Sequence, residues 1–324
     1  MSSPPALRSP RDCSIVVPVY RNAAGIPDLL ARLRELDAQV EGGIEAVCVV
    51  DGSPDDCDAL LAAGLPTMPY PSRLVLLSRN FGAFAAIREG LRVASGRWFA
   101  VMSADLQEDS SVIVAFFTAL RADEADIALG VREARNDPWP SRFASALFWR
   151  MYRALIRPDV PRGGIDVFAC NRLFRDHLVQ FSESYSSLVG QILWLGFRRK
   201  LVPYQRVARR HGKSAWTLRR KVAYFSDSIY SFSDLPVRVF TTLGVIGIFT
   251  SAVLTTAVIV AKLSGSIPVP GYTATVLTIV FFASLNLLGL GIVGSYVWRA
   301  YENTKSRPLA VVMRDRSFDP GTPQ

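Results

Sequence analysis

Glu45–Asp56 reads EAVCVVDGSPDD, six residues of strand character that break into an acidic turn holding Gly52 and Pro54. Such a run ending in turn formers reads as a strand with a loop at its carboxyl end. The pattern recurs. Ser14–Val19, Arg73–Leu77, Trp98–Met102 and Ile127–Gly130 read as further strands. Between them Ile26, Leu29, Leu30, Leu33 and Leu36, then Ala85–Val93 and Val112–Leu120, carry helical spacing. Strands alternating with helices from Cys13 to about Gly130 predict an α/β domain on a mostly parallel sheet. Ligands of such sheets bind at the carboxyl ends of strands, so the chemistry is sought just after each one.

The 324 residues carry 37 Lys and Arg against 28 Asp and Glu, a net charge of +9, and half are hydrophobic. That composition excludes a disordered chain, a collagen-like fibre and a disulfide-stapled miniprotein. Val239–Ala261 and Leu263–Trp298 contain no charged residue. Each exceeds the ~20 apolar residues that cross a hydrocarbon layer, so two membrane-spanning helices are expected. Gly265, Pro268, Pro270 and Gly271 make the turn between them. Lys262 is the one charge on that side, whereas Arg219, Arg220, Lys221, Arg238, Arg299, Lys305 and Arg307 flank the other ends. The positive-inside rule then places both termini and the α/β domain in the cytoplasm. Gly289, Gly291 and Gly294 offer a small-residue face for close helix packing.

Only five basic residues are Lys, an Arg bias that reflects base composition rather than phosphate contacts. Arg206, Arg209, Arg210, Lys213, Arg219, Arg220 and Lys221 nevertheless follow one another without an acid. Beside a membrane, each attracts anionic headgroups by about 1 kcal/mol. Nucleic acid is not the expected partner, because no recognition module accompanies the charge. Leu218, Val222, Phe225, Ile229 and Phe232 give an amphipathic helix, expected to lie on the bilayer surface before the first span. Trp139–Ile156 carries a second apolar and aromatic stripe, suited either to the headgroup layer or to packing on the domain. The expected organisation is a disordered leader (1–12), the α/β domain (13–205), a basic loop and juxtamembrane helix (206–236), the two-helix hairpin (237–298) and a cytoplasmic tail (299–324). In the tail, Arg307–Met313 is expected to form a short strand that pairs with a neighbouring subunit.

Cys13, Cys48, Cys57 and Cys170 show no CxxC spacing, and His177 and His211 are the only histidines. A zinc site is therefore not expected, and the cysteines read as reduced thiols. Gly212–Lys213–Ser214 imitates the end of a phosphate-binding Walker loop, but Val207 stands where its first glycine is required. No strand is followed by GxGxxG, and two histidines leave little for a Ser/His/Asp hydrolase. Carboxylates, amides and arginines remain.

After the strand at 98–102 comes Ser103–Ala104–Asp105–Leu106–Gln107. Residues two apart in an extended segment point the same way, so the Ser103 hydroxyl, Asp105 carboxylate and Gln107 amide oxygen are expected to converge. Three hard oxygen donors suit Mg²⁺ or Mn²⁺, completed by water and substrate phosphates. Alone, either this segment or Asp51–Asp56 could be an Asp-capped turn. On successive strands and in order, they point to one ligand site.

Along nearly its whole length the chain resembles glycosyltransferase family 2 enzymes of the polyprenyl-phosphate type, similar to dolichyl-phosphate mannose synthase and its bacterial two-span relatives. The matching segments are IVVPVYRN (Ile15–Asn22), VVDGSPD (Val49–Asp55), SRNFGAFAAIREGL (Ser78–Leu91), MSADLQED (Met102–Asp109), GVR (Gly130–Arg132), LVGQILWLGFRRKLVPY (Leu188–Tyr204), RRHGKSAW (Arg209–Trp216), SFSDLPVR (Ser231–Arg238) and GLGIVGSYVWRAYENTKSRPL (Gly289–Leu309). The resemblance implies a GT-A fold, a nucleotide-sugar donor, a polyprenyl phosphate acceptor and a homo-oligomer. It also implies that Asp51 accepts from the nucleotide base, with Pro18, Tyr20, Arg79, Asn80 and Ser103 lining the donor pocket. Asp105 and Gln107 hold Mg²⁺ or Mn²⁺ against the diphosphate. Arg132 and Arg142 receive the acceptor phosphate, Asp166 stands near the sugar, and Arg209, Lys213 and Ser214 belong to the loop over the phosphates. Three departures stand out: Val50 and Ser103 each replace an Asp usual in relatives, and Ala215 stands where a Lys is common. The loss at 103 removes one metal carboxylate and implies weaker metal binding. Two other readings share the motifs, a transferase that extends a saccharide and a catalytically silent membrane adaptor.

Overall fold

The computed structural model describes residues 11–132, 150–154, 158–161, 164–165, 167–207, 218–233, 235–264 and 271–320. Strands β1 (Cys13–Val19), β2 (Ile44–Val50), β3 (Ser72–Leu77), β4 (Trp98–Val101) and β5 (Ile127–Arg132) fall where the sequence places them. Between them run α1 (Ile26–Gln39), α2 (Cys57–Gly64), α3 (Ala83–Val93) and α4 (Ser110–Arg121). β6 (Phe168–Asn171), α5 (Arg172–Leu178), α6 (Leu188–Trp194) and β7 (Arg199–Tyr204) complete the domain. The chain goes on through α7 (Leu218–Phe232), α8 (Leu235–Leu263) and α9 (Tyr272–Thr304), then ends in β8 (Val312–Phe318).

One eight-stranded sheet has the order β7-β5-β6-β4-β1-β2-β3-β8. β4, β1, β2 and β3 are mutually parallel, while β6 and β8 run against their neighbours. Every residue of β2 is buried, as expected of a strand covered on both faces. On one face lie α1, α2 and α4, through Leu29, Leu33, Leu36, Leu61 and Phe116. On the other lie α3, α5, α6 and α7, through Ile87, Leu91, Phe174, Ile192 and Phe225. Fully burying a side chain of the Leu29 kind contributes about 1.5–3 kcal/mol, which is why the leucine stripe fixes the face of α1.

Two expectations change. The apolar face of α7 turns to the domain rather than to a bilayer surface. Tyr224, Phe225, Ile229 and Phe232 pack on the second core, the Tyr224 hydroxyl accepts from Ser187 at 2.7 Å, and its ring stacks on Tyr152 at 6.3 Å. A Cβ at Gly190 would overlap the Phe232 ring, so glycine there permits the close approach of α6 and α7. In the stripe read from 139 to 156, residues 150–154 are described, and Tyr152 is fully buried on the domain side. The second change is at the chain end: β8 starts five residues later than expected and pairs antiparallel with β3 of the same chain. Arg73 grips Asp315 with two bonds, at 2.8 and 2.6 Å. Covering an open sheet edge satisfies its backbone groups, which local sequence cannot reveal.

Of the glycines in α9, Gly289 lies against the Phe240 ring of α8, whereas among the described residues nothing lies within 4 Å of a Cβ placed at Gly291 or Gly294. The four cysteines are buried and unpaired, as reduced thiols. Burial pushes Cys48 up to about 12; it also raises Cys13 and Cys57 to about 11, with Arg121 opposing at Cys13. A maleimide at pH 7.5 is therefore expected to label none of them in the folded protein and all four after SDS, as counted by intact mass.

Candidate active site

Four segments meet at the carboxyl edge of β1 to β4, and each is held by another. Asp51, 2% exposed, follows β2. Its Oδ1 accepts the Phe81 N–H at 2.7 Å, and Oδ2 accepts the Gly82 N–H at 2.8 Å and Asn80 Nδ2 at 2.9 Å. Gly52 has φ +55°, and a Cβ there would overlap the Arg79–Asn80 backbone. Both conditions demand glycine. Ser53 Oγ accepts the Arg21 N–H at 2.8 Å and donates to Asp55, whose Oδ2 takes the Ala23 N–H at 2.9 Å. Asn22 Nδ2 in turn donates to the Ala104 carbonyl at 2.8 Å, tying the turn after β1 to the turn after β4. Arg21 (φ +49°) and Leu106 (φ +53°) lie in the left-handed region. That conformation costs about 1–2 kcal/mol for a non-glycine residue, and this network holds both in it.

Burial disfavours the charged Asp55, but bonds from Cys57, Ser53 and the Ala23 amide outweigh it and set its pKa below the ordinary value. The folded value therefore lies below the unfolded one, near 3.9. Its stabilisation is complete above that unfolded value and disappears as pH falls through the folded one. The thermal midpoint of Asp55→Asn is expected to lie below that of wild type at pH 6–7, and the gap to shrink as pH falls below the unfolded value of about 3.9.

After β4, the Ser103 hydroxyl donates to Glu108 Oε1 at 3.0 Å, and Asp105 follows on the same rim, partly exposed. The Gln107 amide oxygen, expected at a metal ion, accepts from the Arg206 guanidinium. Gln107 Nε2 donates to the Val207 carbonyl at 3.2 Å, and the Val207 N–H returns to the Gln107 carbonyl at 2.9 Å. Gln107 thus fastens the start of the basic segment to the Asp105 turn.

Arg132 closes β5 opposite Tyr204 and, because β5 runs in the sense of β4, stands on the same rim. Arg79 is exposed, its guanidinium 4.0 Å from the Phe81 ring centroid. Pro18 lies in β1 beyond the last residue paired to β4, where its missing N–H leaves no gap in that ladder. The Arg21 guanidinium lies 5.4 Å from the neighbouring Tyr20 ring. Arg142, Asp166, Arg209, Lys213 and Ser214 lie outside the described residues. Asn22, Ser53, Asp55, Glu108 and Arg206 enter the site without having been singled out for a role. Their signal in the sequence was membership of the quoted motifs for Asn22, Ser53, Asp55 and Glu108, and of the basic run for Arg206.

A mostly parallel sheet flanked by helices, with acidic turns after β2 and β4 each tied to the turn after β1, is the Rossmann-like α/β architecture expected of a GT-A glycosyltransferase. The chain belongs to glycosyl transferase family 2, whose model matches residues 14–181. It is 29% identical over 313 residues to an uncharacterized glycosyltransferase of Synechocystis, covering 93% of this chain and 94% of that one. It is 27% identical over 308 residues to a prophage-derived bactoprenol glucosyl transferase of Shigella flexneri, covering 95% of this chain and 99% of the relative. Among solved structures, glucosyl-3-phosphoglycerate synthase of Mycobacterium tuberculosis, in complex with Mn²⁺, UDP-glucose and phosphoglyceric acid, superposes with a TM-score of 0.51. That match has 17% identity and covers 68% of this chain and 78% of that one, a likeness of fold.

Proposed function

We propose that the chain transfers a sugar from a nucleotide-sugar to polyprenyl phosphate at the cytoplasmic face of the membrane, with inversion at the anomeric carbon. The observation that carries this reading is the match to bactoprenol glucosyl transferases over 95% of this chain, which takes in α8 and α9 as well as the family domain. The surface of those helices supports it. Phe249, Leu263, Phe281 and Leu290 are 72%, 82%, 63% and 67% exposed, and soluble proteins rarely carry so large an apolar patch. Phe281–Thr304 is long and apolar enough to cross a bilayer, and the 29 residues of α8 reach about 43 Å. The chain leaves the α/β domain at α8 and rejoins its sheet at β8, which supports reading α8 as a second crossing beside α9. Arg238, Arg299, Lys305 and Arg307 at the domain end, against Lys262 at the other, set the orientation.

At the rim, Asp105 and the Ser103 hydroxyl are hard oxygen donors of the kind Mg²⁺ and Mn²⁺ take, with water and phosphate completing the shell. When bound, the ion neutralises charge on the departing nucleoside diphosphate. The chain's own groups do the rest. Asp51, Asn80 and the Phe81–Gly82 amides shape the nucleotide pocket, with Pro18, Tyr20 and Arg79 around it. Arg132 receives the acceptor phosphate, a role we also assign to Arg142, Arg209, Lys213 and Ser214, and Asp166 is assigned to the sugar. A phosphate monoester, with its second pKa near 6, is mostly dianionic at pH 7 and is already a nucleophile. No strong base is required, and anchoring confines acceptor and site to one interface. Detergent-solubilised protein, given a panel of nucleotide-sugars, undecaprenyl phosphate and Mg²⁺ or Mn²⁺, is expected to yield the lipid phosphate heavier by one sugar residue. If donor and acceptor both stay unchanged across the panel, the reading fails, and label in a water-soluble product would point instead to saccharide extension.

A further inference from the structure

The turn after β4 holds one feature that the proposed reaction does not use. Glu108 is 3% exposed, an uncommon place for a carboxylate, and its Oε1 accepts the Ser103 hydroxyl at 3.0 Å. Burial of an acid is tolerated where the ionised form has compensation. Here Glu108 lies just before the first turn of α4, whose amide end favours negative charge, and Arg32 donates to the Glu108 carbonyl at 3.1 Å. The helix itself is capped by Asp109, which accepts the Ser111 N–H at 2.9 Å, so capping does not require Glu108. Ser103 and Asp105 share the turn that the Leu106 N–H closes on the Ser103 carbonyl at 3.3 Å, and the proton of the Ser103 hydroxyl is committed to Glu108. Among the described residues nothing donates to Ser103 Oγ, so its lone pairs can face a cation or its water, and the carboxylate behind the hydroxyl makes that oxygen a better donor.

We propose that Glu108 supplies, through the Ser103 hydroxyl, the negative charge that a second carboxylate would otherwise bring to a divalent cation at Asp105. This rests on the cation of the preceding reading. The pair makes Ser103 and Glu108 a unit, with Glu108 a positioning residue that does not touch the ion. On this proposal an aspartate at 103 brings no gain, since it would face Glu108 at hydrogen-bond range and like charges so close do not both ionise.

The test is a titration of Mn²⁺ into the detergent-solubilised full chain with UDP and with GDP, free Mn²⁺ being read by electron paramagnetic resonance. Glu108→Gln, nearly isosteric, and Ser103→Ala are each expected to weaken Mn²⁺ binding by about 10-fold, the lower end of the effect of outer ligands. The double variant is expected to be no weaker than either single one by more than about 2-fold, because the two residues act through one bond. Ser103→Asp is expected to gain nothing by itself, and Ser103→Asp with Glu108→Gln to return to wild-type affinity. Wild-type affinity in Glu108→Gln or in Ser103→Ala, or effects that add in the double variant, would overturn the proposal. Wild-type protein that binds no Mn²⁺ with either nucleotide would remove the cation itself, a failure distinct from that of the pair.

Discussion

Asp105→Asn is expected to reduce turnover by about 10²–10³-fold while leaving the fold intact, a loss of the size seen when one preorganised electrostatic partner of a transition state is removed. Asp105 stands on the rim where the turns after β1, β2 and β4 interlock, with Leu106 in the left-handed region beside it. Asn has the same shape but not the charge, so the turn is retained and the grip on the diphosphate is lost. Initial rates with saturating donor, together with the thermal midpoint, separate these. The expected result is a midpoint within about 2 °C of wild type, less than 1 kcal/mol on the usual scale, beside a collapsed rate. A variant with wild-type turnover would remove Asp105 from the chemistry and with it the role assigned to the β4 turn.

Asp51→Asn is expected to act on structure as much as on donor binding. The carboxylate is buried and receives three N–H donors from the loop after β3, two of them on Oδ2. Asn can offer an oxygen to one side only and sets an NH₂ group against donors on the other. Leaving buried, charge-assisted bonds unmade costs about 3 kcal/mol, equivalent to a drop of roughly 6–12 °C in thermal midpoint for a domain of this size. Differential scanning fluorimetry reads the shift, and nucleotide titration is expected to show weaker UDP or GDP binding in parallel. An unchanged midpoint would show that the loop from Ser78 to Gly82 is held by something other than Asp51.

How much of this was legible beforehand varies with the range of the interaction. The five leading strands and the stripe of α1 follow from runs and spacings within a dozen residues, and the structure places them within two residues of expectation. Short β6 and β7 escaped because four to six residues between polar turns carry no period to read. Glycine at 52 reads locally as a turn former. That its hydrogen atom faces the Arg79–Asn80 backbone is visible only once β2 and β3 lie side by side. The amphipathic period of α7 was legible, but period alone does not say what the apolar face meets, and Tyr152, Ser187 and Gly190 took it in place of lipid headgroups.

The sequence by itself determined the class of fold, the two long apolar helices and the candidate residues Asp51, Ser103, Asp105 and Arg132, because each is written in local patterning or in contiguous motifs. Tertiary structure alone decided that β8 returns to β3, that Gln107 holds Arg206 and Val207, and that Ser103 is backed by Glu108. The physical reason is that a hydrogen bond or a strand pairing selects its partner by position in space. Arg73 and Asp315 are 242 residues apart in the chain, yet they meet at 2.6 Å.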